Sequence, residues 1–549
     1  MNKPLDKATR LLQDTRQELE GVLTQELIES DPVPRGDSSQ RQADRLLAGL
    51  AVVAFLIPIL PNLLLGGYGY FIDELYYIAC SERLAAGYVD HPPLAPWLLA
   101  LSRTFLGDSV LAIRVLPALA FAASVFLTGL MARRLGAGLF GQGLAALAVM
   151  LAPVPLIFAG FFSMNPFEIL LWVGACYVLI EILRTGNERL WLVFGLVAGL
   201  GLLNKHTFVL LAAGLAVGVV LTPARRHLMS RWLWLGAGLA FVLLLPNLLW
   251  QVQHGWPSLE FYRNADLNKN VDTPPLKVLI DQILFMNPVS ALIWGAGLVF
   301  CFASSRGRPY RALGWIFLTL MAMTLIAQKS RPDRIAGIYP VMLAAGAAWW
   351  DLGGASSARR WARGALPVLL IVVAVLMAPL CLPILPPDQL ARYSAAAGIV
   401  PQLERGAGKV TAMPQWFADR FGWPELVEEV VGVVERELTP DERRRALILT
   451  PSYGHAGAIE RLGERYDLPP VASPQNTYHL WGLGEGPLDV LVSVDIGPEP
   501  LLQFYEEVRE VGRYRCEYCM PWRDDAPIYV ARRPKLALRD YWDRFRHFE

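Results

Sequence analysis

The apolar residues of this 549-residue chain are gathered into long blocks, and that blocking constrains the fold more than any other feature. A helix of about 20 apolar residues crosses a hydrocarbon core, because a helix satisfies its backbone polar groups within the segment. About eleven such runs are read, near 46–66, 110–132, 139–159, 166–183, 189–203, 207–222, 232–250, 288–303, 312–327, 336–350 and 365–382. Composition agrees with the pattern. The chain is 54% hydrophobic and 18% charged, with 17 Trp and a mean hydropathy of +0.36, where a soluble protein carries about 25% charged residues. A net charge of +1 gives no basic footprint for nucleic acid, so no such partner is expected. The first 45 residues hold no short apolar core with a cleavage site, and the first run reads as an uncleaved anchor.

Arginines mark every second loop: Arg133 and Arg134, Arg184 and Arg189, Arg225, Arg226 and Arg231, Arg306, Arg308 and Arg311, then Arg359, Arg360 and Arg363. The positive-inside rule makes these loops cytoplasmic. Residues 1–45 then form a cytoplasmic tail with a weakly amphipathic helix bearing Leu5, Leu12, Leu19 and Val22. A membrane body follows over 46–385, and an odd span count places 386–549 outside. In that last part "RALILTPS", "LDVLVSVDIG" and "APIYVARRP" read as strands. "WPELVEEVVGVVERELT", "HAGAIERLGERY" and "PEPLLQFYEEVREV" read as helices. The alternation predicts a small extracytoplasmic α/β domain. Gly195 and Gly199 are spaced for close helix packing.

The outer loops hold the chemistry. Asp73, Glu74, Tyr76 and His91 fall in the first, Asn165 and Glu168 in the second, Lys205 and His206 in the third, His254 and Trp256 in the fourth, and Lys329, Arg331 and Arg334 in the fifth. Ionisable groups at membrane depth are costly and normally face a cavity or a partner. Each has a structural explanation taken singly: acids at a helix start meet the positive dipole end, histidines tie down turns, and interfacial cations snorkel. Together they offer a carboxylate base and an anion clamp. At helical spacing Asp73 shares a face with Tyr76, Tyr77 and Cys80, while Glu74 points about 100° away. One acid is therefore expected to be chemical and the other structural.

Three strings, "DELYY", "GYVDHPPLAPWLLALSRTFLGDSVLAIRVLPAL" and "NLLWQVQHGWPSLEF", resemble the bacterial glycosyltransferase family 39 proteins, relatives of the protein O-mannosyltransferases and of the aminoarabinose transferase of lipid A. In the tail, "FADRFGWPELVEEV", "YGHAGAIERLGERYDLPP", "QNTYHLWG" and "RCEYCMPWRDDAPIY" resemble the C-terminal domain of one bacterial branch. The resemblance runs from residue 46 onward. It implies a polytopic α-helical membrane protein of GT-C fold, a polyprenyl phosphate sugar as donor, and an inverting transfer to a glycan, lipid or protein acceptor at the outer face of the bacterial cytoplasmic membrane. It also implies an acid of the first outer loop as base, here Asp73, with Glu74 beside it. Lys205, Lys329, Arg331 and Arg334 are the expected phosphate contacts. Tyr76, His91, Asn165, Glu168, His206, His254 and Trp256 are the expected substrate contacts.

This chain departs from its relatives at Asn165-Pro166, where they often carry an acid before the proline. Asn hydrogen-bonds a hydroxyl but cannot act as a base, and Glu168 is the acid left nearby. A divalent metal ion stays open as a cofactor: His91, His206, His254 and Glu74 lie in outer loops, yet no motif such as HExxH fixes a ligand spacing. Cys516 and Cys519 form "CEYC", and an outer compartment favours a disulfide there. The rival class is a membrane transporter or lipid flippase. The one-sided placement of the charges argues against it, since alternating access wants a site near the midplane.

Overall fold

The computed structural model describes residues 37–65, 68–270, 272–328, 332–353, 357–398 and 412–549. The helix expected around Leu5–Val22, and the cations Lys329 and Arg331, lie outside the described residues. Among the described residues, seven helices are long and apolar enough to cross a membrane: Ser38–Leu64, Val110–Arg134, Asn165–Thr185, Arg231–Gln253, Arg308–Ala327, Asp333–Leu352 and Arg359–Cys381. Three bent pairs pass the same test together, Leu139–Met150 with Pro153–Ala159 (62°), Phe208–Val220 with Pro223–Met229 (109°) and Pro275–Phe285 with Pro288–Ala303 (103°). Each bend has a proline just after it, where a continuing helix would lose an N–H and meet the ring. Every expected apolar run falls on one of these elements or on the shorter Leu190–Asn204 helix. By length and composition the described residues hold seven spans, or up to ten if each bent pair is one, and the eleventh run is the shorter Leu190–Asn204 helix.

The helix faces sort as a membrane protein requires. The Asp333–Leu352 helix is buried over most of its length, whereas Arg359–Cys381 exposes Val368, Leu369, Ile371, Val372, Val375 and Leu376 together. Such a face is costly in water and neutral in lipid. The expected glycine contact is present. A Cβ on Gly195 would stand 2.1 Å from the Gly236 carbonyl oxygen, so the Leu190–Asn204 and Arg231–Gln253 helices touch backbone to backbone.

The C-terminal part carries a five-stranded sheet of order β2-β1-β3-β5-β4, with β1 Ala446–Leu449, β2 Val471–Ala472, β3 Val490–Val494, β4 Tyr505–Tyr514 and β5 Ala526–Pro534. β1 is parallel to β2 and β3, and β5 runs antiparallel to β3 and β4. Alternate side chains face opposite ways. Ile448, Val492 and Val530 meet the Trp423–Glu437 and Tyr453–Gly463 helices, while Leu447, Leu491 and Tyr529 meet Phe504 and Trp542. The three expected strands are all present. The helix expected over 498–511 is corrected: it stops at Phe504, and Tyr505–Tyr514 forms the edge strand β4. The acids Glu506, Glu507 and Glu510 give this stretch a helix-like charge pattern, but pairing with β5 outweighs local propensity. The pairing joins eight residues of β5, and charges on an exposed edge also discourage pairing with other chains.

Candidate active site

The Ile72–Glu82 helix carries the first outer loop's acids and separates them as helical geometry demands. Glu74 is fully buried against a fully buried Arg114 from the Val110–Arg134 helix. Arg114 Nε donates to Glu74 Oε1 at 2.8 Å and Nη2 to Oε2 at 2.6 Å. The Phe71 and Phe162 backbone N–H groups donate to the same carboxylate, each at 2.8 Å. Arg114 also reaches the Asn62 side chain and the Gly69 carbonyl. A carboxylate holding four donors is an anchor, so Glu74, expected among the catalytic acids, here ties the helix start to the Val110–Arg134 helix. Arg420 lies nearby on the C-terminal part, and burial together with Arg114 pushes its pKa down to about 9.

Asp73 is half-buried on the adjoining face. Tyr453, the first residue of the Tyr453–Gly463 helix, donates its hydroxyl to Asp73 Oδ1 at 3.0 Å. The Tyr453 ring packs on Tyr76 with centroids 4.7 Å apart. Tyr76 donates to Asp90 Oδ1 at 2.8 Å, and its oxygen lies 2.6 Å from Thr477 Oγ1. Thr477 in turn accepts from the Val89 N–H at 3.1 Å. Tyr77 lies in the field of both Asp73 and Asp90, and burial first, then those carboxylates, pushes its pKa well up. His91 is buried, stacked on Tyr77 at 4.6 Å, with Nε2 4.0 Å from Asp90 Oδ1.

The loops expected as second and third on the outer side are locked together. Lys205 Nζ donates to Asn165 Oδ1 and Glu168 Oε2, both at 2.8 Å, and Thr207 donates to the other oxygen of Glu168. Lys205 was expected to be a phosphate contact. Two of its three N–H donors are committed to protein, which leaves one for an anion. His206 Nε2 lies 3.1 Å from Asn247 Oδ1 and Nδ1 3.0 Å from Tyr262 Oη. Burial lowers the His206 pKa, so the ring is neutral, donating to Asn247 and accepting from Tyr262. Tyr262 feels both Asp90 and Glu168, which ties this cluster to the first loop.

Other expected contacts fall elsewhere. His254 donates to the Trp250 carbonyl at 2.8 Å and stacks on Trp250 at 4.2 Å, closing the end of its helix. Trp256 is exposed and takes a left-handed backbone (φ 60°) at the start of the Pro257–Asn264 helix. Arg334 is half-buried and engaged. Among the described residues no group of three or more His, Cys, Asp and Glu side chains is arranged to hold a metal ion, and Glu74 has its oxygens fully used. Cys516 and Cys519, expected as a disulfide, are free thiols in the structure, with Cys519 Sγ donating to the Cys516 carbonyl at 3.4 Å.

Sequence reasoning missed Tyr453, Thr477, Asp90, Arg114 and Thr207. Tyr453 and Thr477 lie inside the strings "YGHAGAIERLGERYDLPP" and "QNTYHLWG", whose polar letters gave no indication of which element they meet. Asp90 stands beside His91 in "VDHPP", and a pattern of buried aromatics around it was the available signal.

Residues 90–250 match the family described as dolichyl-phosphate-mannose-protein mannosyltransferase. The chain is 28% identical over 187 residues to the lipid A galacturonosyltransferase RgtD of Rhizobium johnstonii, covering 34% of this chain and 39% of that one. It is 30% identical over 185 residues to an undecaprenyl phosphate-alpha-4-amino-4-deoxy-L-arabinose arabinosyl transferase of Pseudomonas fluorescens, covering 30% and 32%. These alignments thus span little more than a third of the curated relatives' lengths. The fold is similar over nearly the whole chain to ArnT from Cupriavidus metallidurans bound to undecaprenyl phosphate, with a TM-score of 0.57 at 14% identity, covering 88% of this chain and 97% of that one.

Proposed function

We propose, from this GT-C fold and its partial likeness to polyprenyl-phosphate-dependent transferases, that the protein is an integral membrane glycosyltransferase. It takes a sugar from a polyprenyl phosphate donor and passes it to an acceptor hydroxyl, or a similar group, at the outer face of the bacterial cytoplasmic membrane. The alternating arginine loops support a cytoplasmic N-terminus and an extracytoplasmic 386–549 region. The observation that carries the reading is the division of labour in "DEL". Glu74 is consumed by Arg114, while Asp73 faces the aromatic cluster of Tyr76, Tyr77 and Tyr453 with Asp90 close by.

In this reading Asp73 takes the acceptor proton as the acceptor oxygen attacks the anomeric carbon from the face opposite the phosphate. The glycosidic C–O bond breaks in the same displacement, and the configuration inverts. A positioned base is worth about 10²–10⁴ in rate. Negative charge grows on the departing lipid phosphate, and cations already in place stabilise it. Lys205 is one such cation through its remaining N–H, with Arg334, Lys329 and Arg331 as the others. Asn165 and Glu168 hold Lys205, and in this reading they also bind sugar hydroxyls.

The test uses the purified protein in detergent with an undecaprenyl phosphate sugar and candidate acceptors. Wild type consumes the donor and releases undecaprenyl phosphate, where a flippase leaves it unchanged because detergent has no two sides. Asp73→Asn abolishes transfer and keeps donor binding. Wild-type turnover in Asp73→Asn would move the base elsewhere, and an intact donor with every acceptor would sink the transferase reading.

A further inference from the structure

We infer that Tyr453, on the C-terminal domain, is a positioning residue of the reaction centre that holds the Asp73 carboxylate in its reactive orientation; this rests on the reading of Asp73 as base. The membrane body carries the base, but one of its carboxylate oxygens accepts from a helix that begins 380 residues later. That contact is built into the packing. A Cβ on Gly454 would stand 2.4 Å from the Ile72 side chain, and one on Gly457 would stand 3.0 Å from the Leu75 backbone. The Tyr453–Gly463 helix therefore lies with a glycine face directly on the helix that bears Asp73. Larger residues there would lift Tyr453 out of hydrogen-bond range.

Tyr453 is itself held from three sides. Ser452 caps the helix by accepting from the His455 N–H, Gln475 accepts from the Tyr453 N–H at 3.1 Å, and the ring rests on Tyr76. Thr477 repeats the device one position along, with its oxygen 2.6 Å from that of Tyr76, which bonds Asp90. The C-terminal domain thus reaches both first-loop carboxylates that face the cluster, Asp73 directly and Asp90 through Tyr76.

A hydroxyl donating to a carboxylate does two things. It fixes the orientation of the carboxylate, and it favours the ionised form. Among the described residues its titratable neighbours include Tyr77 on the same helix, Asp90 on the following loop and Tyr453 from the C-terminal domain. Removing the hydroxyl leaves the carboxylate both less ordered and more easily protonated.

Tyr453→Phe keeps the ring and removes the donor. With an undecaprenyl phosphate sugar as donor and an acceptor used by wild type, kcat should fall about tenfold or more. The acidic limb of the kcat profile should move to higher pH, and undecaprenyl phosphate affinity and thermal midpoint should stay at wild-type values. Gly454→Ala, which displaces the same hydroxyl without removing it, should move the acidic limb in the same direction. An unmoved acidic limb with kcat within twofold of wild type overturns the inference, provided Asp73→Asn is inactive. Turnover by Asp73→Asn instead overturns the base reading itself, so the two failures are separate. A Tyr453→Phe protein that loses thermal stability while its acidic limb stays in place assigns Tyr453 to packing alone and also overturns it.

Discussion

Replacing Glu74 by Ala tests whether the two adjacent acids have the separate tasks assigned to them. The carboxylate is fully buried, accepts two bonds from Arg114 at 2.8 and 2.6 Å, and accepts two backbone N–H groups. Its removal leaves a guanidinium buried without its counter-ion, a change that costs about 3–5 kcal/mol. Orphaned backbone donors add to this at about 1–3 kcal/mol each where no water reaches them. The sum is not additive, and a loss of about 4 kcal/mol or more is expected. Asp73→Asn loses part of one half-buried hydrogen bond, about 0.5–1.5 kcal/mol. The assay is thermal unfolding in a fixed detergent at one scan rate, beside turnover of the same preparations. Glu74→Ala should melt far below wild type, and Asp73→Asn near it but inactive. The double variant Glu74→Leu with Arg114→Met should recover much of the stability, since apolar residues of similar size replace a buried pair at little cost. A Glu74→Ala protein that melts like wild type yet does not turn over would refute the assignment and return Glu74 to the chemistry.

Two further outcomes follow from the C-terminal domain. Asp495 lies 3.7 Å from His455, and burial pushes the acid up to about 7 and the imidazole down to about 3, so at pH 5 both are neutral. A raised acid stabilises the fold at low pH and loses that contribution as pH rises through about 7, while a lowered histidine gains over about 3 to 6.5; between about 4 and 6.5 the two oppose. Asp495→Asn removes only the first, so its melting midpoint relative to wild type should climb as pH goes from 4 to 7, and a pH-independent difference would contradict the pairing. For the thiols, the adjacent Cys519 side chain lowers the Cys516 pKa to about 6, while Cys519 is pushed up. After reduction, iodoacetamide should modify Cys516 first, at a rate that rises through about pH 6 and levels off by neutrality, as peptide mass spectrometry reports; equal labelling that rises only near pH 8.5 would refute it.

The spans were legible because lipid enforces one rule along the whole run, and a helix of the right length is the only solution. The acids in "DEL" were legible in part, since a 100° helical step already put Asp73 and Glu74 on different faces. Which face was the anchor depended on Arg114, 40 residues on, and nothing in the local pattern of "LAIRVLPAL" marks that arginine as a buried partner. Lys205 shows the opposite failure. Its position in an outer loop was plain, but its commitment to Glu168 and Asn165 follows from the packing of two helices against each other. Strand β4 was misread because acids at helical spacing imitate an amphipathic helix when the sheet partner is not known. Tyr453 had the least local signal of all, since a tyrosine after a serine cap looks the same whether it meets solvent or a carboxylate.

The 380 residues between Asp73 and Tyr453, and the 401 between Tyr76 and Thr477, bear on how the protein comes into being. At about 5–20 residues per second on the ribosome, the first-loop helix waits roughly 20–80 s before the residues that clasp it exist. For that time Asp73 and Tyr76 are without the tyrosine and threonine that hold them. On the proposed reading of Asp73 as base, a partly made chain lacks these two contacts, and order in the first-loop helix arrives only with the C-terminal sequence.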